Sequence, residues 1–278
     1  METDRASHRP AFYILPTLWS ETASKAGKRL FQTSEEGKLL AKRKENTMIY
    51  VTSDLHGYPL EKFQALLKKA NFSQRDYCFV LGDVIDRGPD GVKLLLWLMM
   101  QPNISLILGN HEAMLLSCSF IFDLARGNSM DDLSQEDTAL LHTWLRNGGG
   151  PTLEALGDCD QDTILMIEDY LRDAPLYDMV KAGDRTFLLV HGGLKNFDPL
   201  RDLDDYSLHD LLWTRPELSN TYFQTITTIL GHTPTHYYGP QYTGKALVTP
   251  TWINIDTGAA CGRAPMLLRL DDMEEFYA

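Results

Sequence analysis

The sequence predicts an α/β fold in which a helix-flanked parallel sheet, formed by the first half, packs against another sheet formed by a strand-rich second half. Two patterns predict it. From Met48 to Leu108, apolar strand-like runs alternate with helix-like runs in a β-α-β-α-β rhythm. After residue 176, short apolar runs follow one another with little helix between them.

Taken in order, Met48-Ile49-Tyr50-Val51-Thr52 is an unbroken apolar and β-branched run and reads as a buried strand. Residues 59–70 then space apolar side chains as a helix does, 77–81 give a second strand, 90–100 a second helix and 104–108 a third strand. A further helix begins near His111. Residues 123–175 read as a mainly helical insert without an obvious metal ligand, with helices over 133–145 and 162–173 and a turn at Asn147-Gly148-Gly149-Gly150. Strands resume at 176–180, 187–190, 226–230, 246–248, 252–255 and 266–270. Trp97, Met99, Met100 and Met114 read as core filling, and the acidic runs 202–205 and 271–275 as solvated faces.

A chain of 278 residues with a 44% hydrophobic share suffices for one large domain or two small ones with a sizeable core. Its formal charge of -12 argues against stable nucleic-acid binding and against an anionic membrane surface, since both select Lys and Arg clusters. The charge is uneven: residues 1–47 hold nine basic and six acidic residues, against 17 and 32 in the remainder. This basic leader has one helical spacing, at Trp19, Ala23, Ala26 and Leu30. It reads as a docked helix, a disordered leader, or residues upstream of a start at Met48, the last two being favoured. The main domain is therefore expected over 48–278. Cys78, Cys118, Cys159 and Cys261 are scattered without Cys-x-x-Cys spacing, as reduced thiols are. No apolar stretch approaches the ~20 residues of a membrane span, so a cytoplasmic location is expected.

Five islands close the apolar runs: Asp54-Leu55-His56-Gly57, Gly82-Asp83-Val84-Ile85-Asp86-Arg87-Gly88, Gly109-Asn110-His111-Glu112, His191-Gly192-Gly193 and Gly231-His232. Ligands of parallel sheets gather outside the carboxyl ends of the strands, where the first three islands fall. In an extended segment residues i and i+2 share a side, so Asp54 and His56 can grip one cation. Asp83 has two carboxylate oxygens to bridge two cations, and Asn110, His191 and His232 can complete the second. Oxygen and imidazole without thiolate suit manganese, iron or zinc. Two such ions ~3.5–4 Å apart activate a shared water and clamp phosphoryl oxygens during in-line attack.

The neighbouring residues fit the same chemistry. His111 is placed to protonate a leaving alkoxide, Asp86 to orient its imidazole, and Arg87 and Arg215 to hold phosphoryl oxygens. Simpler readings exist for each: Glu112 can merely favour a helix dipole, and Arg215 can be a solvated charge at a helix end. Five islands in order outweigh coincidence for the six ligands. Asp256 reads as a structural carboxylate, and His142, His209 and His236 as surface or capping residues.

These ordered motifs resemble GDxHG, GDxxDRG, GNHE and HGG of the calcineurin-type metallophosphoesterases, in particular the phosphoprotein phosphatase branch. Trp144-Leu145-Arg146-Asn147-Gly148-Gly149-Gly150, Trp213-Thr214-Arg215 and Ile255-Asp256-Thr257-Gly258-Ala259 resemble segments of its phage lambda and bacterial members. The resemblance spans about residues 48–278. It implies a four-layer αββα sandwich of two mixed sheets flanked by helices, metal ligands Asp54, His56, Asp83, Asn110, His191 and His232, and a proton donor His111 paired with Asp86. It further implies phosphate-binding Arg87 and Arg215, two divalent ions that are frequently manganese, and single-step hydrolysis without a phosphoenzyme. Two departures are Ser53, where a glycine is usual, and Cys261-Gly262-Arg263-Ala264-Pro265, where a Gly-Gly pair is common.

The expected activity is that of a serine/threonine protein phosphatase, extending to phosphotyrosine or small aryl phosphates. The alternative is a symmetrical bis(5'-nucleosyl)-tetraphosphatase or a related nucleotide or RNA-end hydrolase. Members of that group typically lack the second Asp of Asp-Arg-Gly and end the third island in Asp, whereas this chain has Asp86 and Glu112. A metal-binding scaffold without turnover would be favoured by loss of His111 or a ligand, and none is lost.

Overall fold

In the computed structural model, residues 47–129 and 133–278 are described; the leader helix expected within 1–46 lies outside them. The first half runs β1 (Ile49–Thr52), α1 (Leu60–Lys69), β2 (Tyr77–Leu81), α2 (Gly91–Met99), β3 (Ile104–Ile107) and α3 (Asn110–Ser117). Helices α4 (Phe120–Ala125), α5 (Gln135–Arg146), α6 (Gly150–Gly157) and α7 (Gln161–Asp173) follow. The second half runs β4 (Tyr177–Ala182), β5 (Arg185–Val190), α8 (Leu208–Leu212), β6 (Ile226–Leu230), β7 (Leu247–Val248), β8 (Trp252–Asn254), β9 (Met266–Arg269) and β10 (Glu274–Tyr277).

These strands make two five-stranded mixed sheets, ordered β10-β9-β1-β2-β3 and β4-β5-β6-β8-β7. Each contains three consecutive parallel strands: β1, β2 and β3 at one side of the first sheet, β5, β6 and β8 in the centre of the second. Strand alternation explains why the runs are apolar throughout, since both faces are buried. Ile49, Val51, Phe79 and Leu81 face the second sheet's Phe187, Leu189 and Ile229, while Tyr50, Cys78 and Val80 face Phe63, Leu66, Leu94 and Leu95 of the helices. On the far side, Leu188, Val190 and Trp252 pack with Tyr206, Leu211 and Tyr222. The result is the helix-flanked double sheet that the motifs implied.

Three sequence expectations change. Residues 266–270 join the first sheet rather than extending the second: β9 pairs antiparallel with β1, Val51 opposite Leu268. The acidic run ending at Glu275 is partly an edge strand, β10, pairing Glu274 with Arg269 and Phe276 with Leu267. Its charges sit on a solvent-facing edge, where they are tolerated and discourage edge-to-edge association; Arg269 meets both Asp272 and Glu274. Met100 lies just past the end of α2 and is 72% exposed, so it fills no core. Among the described residues, no helix is long and apolar enough to cross a membrane.

Candidate metal and phosphate site

The five islands converge at one end of the sandwich. Asp54 and His56 follow β1, Asp83 follows β2, Asn110 opens α3 after β3, His191 follows β5 and His232 follows β6. The backbone there is unusual. Asp54, His56, Asp83, Asp86, Arg87 and His232 all have positive φ, between 43° and 70°, a left-handed conformation costing a non-glycine residue on the order of 1 kcal/mol or more. Asp54 and His56 therefore do not meet through strand alternation, as the sequence suggested. The chain leaves β1 in a left-handed turn clamped to the next loop, with Asp54, His56 and Gly57 N–H groups donating to the carbonyls of Gly82, Asp83 and Val84 at 3.1, 2.8 and 2.8 Å.

Two groups of possible ligand atoms share one residue. The donor atoms of His56, Asp83 and His111 lie within 4.8 Å of one another, as do those of Asp83, His191 and His232. Asp83 faces both ways: Oδ2 is 3.5 Å from His56 Nε2 and Oδ1 is 3.5 Å from His191 Nε2. Second hydrogen bonds fix the imidazoles. His56 Nδ1 reaches Ile85 O at 3.2 Å and His191 Nδ1 reaches Leu81 O at 2.6 Å, which leaves each Nε2 lone pair turned inward. Asn110 Oδ1 lies 2.8 Å from His191 Nε2, so two acceptor atoms converge.

Several observations test whether a cation pair fits. Asp54 Oδ1 and His232 Nε2 are buried without a hydrogen-bond partner, a costly state for polar atoms unless a ligand satisfies them. Burial, followed by the charges of Asp54 and Glu112, pushes the Asp83 carboxyl well above the usual range; burial likewise raises Asp54. The imidazoles of His56 and His232 are pushed well below theirs, again chiefly by burial. Carboxyl groups and neutral imidazoles crowded together and buried match a site for hard to borderline divalent cations. The donor set fits.

Beside the shared carboxylate stands a dyad. His111 Nδ1 donates to Asp86 Oδ2 at 2.6 Å, and Arg87 reaches across the mouth, Nη2 to His111 Nε2 at 3.0 Å and Nη1 to His56 Nε2 at 3.3 Å. Burial, then the Arg87 charge, drives the His111 imidazole well below its ordinary value. Burial raises Asp86 to about 6, opposed by hydrogen bonds from Thr152 and Trp144. Arg215 is more distant: it is exposed and donates Nη1 to Thr233 Oγ1 at 3.3 Å, next to His232. The ten predicted residues thus gather at one end of the sandwich, most of them buried and Arg215 at the outer edge.

The sequence reading missed the residues that hold these groups. Glu112 is no mere helix-dipole partner: Oε2 accepts from Asp83 N at 2.8 Å and Gly109 N at 3.1 Å, and Oε1 from Val84 N at 2.8 Å and Ile85 N at 3.3 Å. It thereby fixes the left-handed loop carrying Asp83. Trp144 Nε1 donates to Asp86 Oδ2 at 2.8 Å, and Thr152 Oγ1 donates to Asp86 Oδ1 at 2.6 Å while accepting from Asp86 N. The Asn147 to Gly150 segment, read as a plain turn, accepts Arg87 N at Gly148 O and lays Gly149 against the Trp144 ring. Gly150 opens α6, whose Pro at the first turn suits a helix start.

Ser53 is also more than a neutral replacement. Its hydroxyl donates to Asp54 Oδ2, the oxygen that also accepts His232 N at 2.9 Å. A Cβ at Gly231 would collide with both Ser53 Oγ and Asp54 Oδ2, which explains the glycine before His232. Asp256 behaves as the structural carboxylate expected, accepting Gly258 N at 2.9 Å. The 261–265 departure begins at a left-handed turn, with Gly262 at φ 75°.

Trp144→Phe checks the dyad's support. Losing a hydrogen bond to a charged acceptor costs ~1.5–3 kcal/mol, so kcat should fall by about tenfold or more. Without that donor the Asp86 carboxyl rises further, and the acidic limb of the pH–rate profile should move to higher pH. A fall in rate with an unmoved limb would assign Trp144 to packing alone.

Comparison with known proteins gives the family. A family model of calcineurin-like phosphoesterases matches residues 47–256. The chain belongs to that family. As a metallophosphoesterase it has curated relatives named symmetrical bis(5'-nucleosyl)-tetraphosphatase: 37% identity over 101 residues to that of Buchnera aphidicola subsp. Acyrthosiphon pisum (strain 5A), covering 35% of this chain and 36% of the relative. The Azotobacter vinelandii protein of that name is 34% identical over 148 residues, 52% of this chain and 44% of the relative. The first of these matches thus spans about a third of the relative's length.

Solved structures add the fold. A candidate diadenosine tetraphosphatase superposes on this metallophosphoesterase with a TM-score of 0.56 at 17% identity, over 84% of this chain and 94% of the other. A serine/threonine phosphatase from Saccharomyces cerevisiae gives 0.50 at 17%, over 84% and 80%.

Proposed function

We propose that this metallophosphoesterase hydrolyses phosphate esters or anhydrides of small nucleotide-like substrates, with symmetrical dinucleoside tetraphosphates as the first class to test. The observation that carries the chemistry is Asp83, whose two oxygens each face a different buried histidine, 3.5 Å away on either side. In this reading Asp54, His56, Asp83, Asn110, His191 and His232 hold two divalent ions, manganese before iron or zinc. Such a pair supplies an activated water and neutralises charge on the phosphoryl oxygens. The 34–37% identity to the tetraphosphatases supports the nucleotide class.

The chain's own residues do the rest. Arg87 turns from the imidazoles of His56 and His111 to the incoming phosphoryl oxygens, for which its guanidinium has the better charge match. Arg215 approaches from the other wall. Once Arg87 has moved, His111 Nε2 is free to carry the proton that the leaving oxygen takes, and Asp86 stabilises the imidazolium while Trp144 and Thr152 hold Asp86 in place.

A second reading, a protein phosphatase acting on phosphoserine or phosphotyrosine, is favoured by one observation. Asp86 and Glu112 are both retained and both engaged, Asp86 with His111 and Glu112 with four backbone N–H groups. The deciding experiment measures kcat/KM for diadenosine tetraphosphate, a phosphoserine peptide and a phosphotyrosine peptide on one manganese-loaded preparation. A preference for the dinucleotide is expected; a preference for either peptide would install the second reading.

A further inference from the structure

The chemistry above handles the phosphoryl group and does not say what receives the rest of the substrate. A cavity of about 610 Å³ lies beside the site, within the range typical of small-molecule sites. One wall is the loop that continues past His191, from Leu194 to Phe197, and the other is the segment from Trp213 to Tyr222 after α8. Arg215 joins cavity and metal cleft, since it lines the first and bonds Thr233 beside His232 in the second.

The walls are tied together. Leu194 N donates to Tyr222 Oη at 3.1 Å, and a Cβ at Gly193, whose φ is +133°, would lie 2.7 Å from that hydroxyl. Trp252 Nε1 donates to Asn220 O at 3.0 Å and Tyr238 Oη to Pro216 O at 2.8 Å, anchoring the second wall to the sandwich. Lys195 and Arg215 are exposed cations set against one exposed carboxylate, Glu217; Phe197 and Trp213 are half-buried rings, Trp213 with one face stacked on His209, and Asn196 and Asn220 carry amides. Phe197 is braced edge-on by Tyr222 and Phe223, with centroids 5.4 and 4.8 Å away.

We propose that this cavity is a nucleoside subsite, in which Phe197 and Trp213 receive the base while Lys195 and Arg215 hold the phosphates next to the one under attack. The inference rests on the hydrolase reading and adds where the nucleotide binds. Base-on-aromatic stacking contributes ~1–3 kcal/mol per base, and a planar guanidinium suits phosphate. A bound peptide would more naturally pair with a strand edge, and none of the lining residues lies in a strand.

The test uses the full chain loaded with manganese and compares, by calorimetry, AMP with ribose 5-phosphate, which keeps the phosphate and lacks the base. In the wild type AMP should bind at least tenfold more tightly. Phe197→Ala should bring the two affinities together. Lys195→Glu should weaken AMP about tenfold. Because Phe197 also packs in its loop, Ser219→Trp provides a second probe: Ser219 is exposed and lines the cavity, so an indole there fills the space and should erase the base preference. Equal affinities in the wild type, or a base preference that survives Ser219→Trp, would overturn the subsite. So would a phosphoserine peptide that loses affinity in Ser219→Trp while AMP does not. Aryl phosphate turnover on the same preparation separates the two levels: if it is present and the base preference is absent, only the subsite falls, whereas its absence removes the hydrolase reading as well.

Discussion

Replacing His111 with asparagine should lower kcat by about 10²–10⁴, the span general acid catalysis supplies, for any substrate whose leaving oxygen is strongly basic. The imidazole is held by the 2.6 Å bond from Nδ1 to Asp86, with Nε2 directed to the mouth where Arg87 now meets it. Asparagine has no group that titrates to deliver a proton. An aryl phosphate, whose leaving group needs less protonation, should lose much less rate than a phosphoserine peptide or a dinucleotide. That contrast separates proton donation from metal binding, since His111 also falls within the 4.8 Å group of His56 and Asp83. Equal losses on all substrates, accompanied by loss of one bound ion, would make His111 a ligand instead.

Glu112→Leu should be the most destabilising single change at the site. The carboxylate is fully buried and satisfies four backbone N–H groups, those of Asp83, Val84, Ile85 and Gly109. Each stranded donor costs ~1–3 kcal/mol, so the loss should be on the order of 4 kcal/mol, a large part of the ~5–15 kcal/mol that holds a typical domain folded. Activity should fall further than stability, because the same bonds set the left-handed loop in which Asp83 sits at φ 53°. Glu112→Asp, one methylene shorter, should lie between wild type and Leu. Urea denaturation gives the free energies; a change under 1 kcal/mol for Glu112→Leu would remove this role.

Much of this was legible in the sequence, for a physical reason. In a parallel sheet buried on both faces each strand is a largely apolar run, and five of the six parallel strands here, all but β8, end just before a candidate ligand. Asp83 after Leu81, Asn110 after Leu108 and His191 after Val190 all announce their place at a strand's carboxyl end. What stayed hidden were contacts set by tertiary packing. Trp144 and Thr152 lie 58 and 66 residues from Asp86, and no local spacing announces a bond across that distance. Strand β10 escaped because an edge strand facing water needs no apolar run and here is written Glu-Glu-Phe-Tyr. The left-handed turn at Asp54 and His56 was equally silent, because its cause lies in the carbonyls of Gly82 and Asp83 that receive their N–H groups.

The central claim is that Asp83 is shared by two neighbouring cations, and electron paramagnetic resonance during a manganese titration tests it directly. Two ions per chain are expected, with the multiline spectrum of a spin-coupled pair ~3.5–4 Å apart, and Asp83→Asn should abolish the coupling. A single equivalent of manganese at saturation, or two with independent six-line signals, would contradict the account.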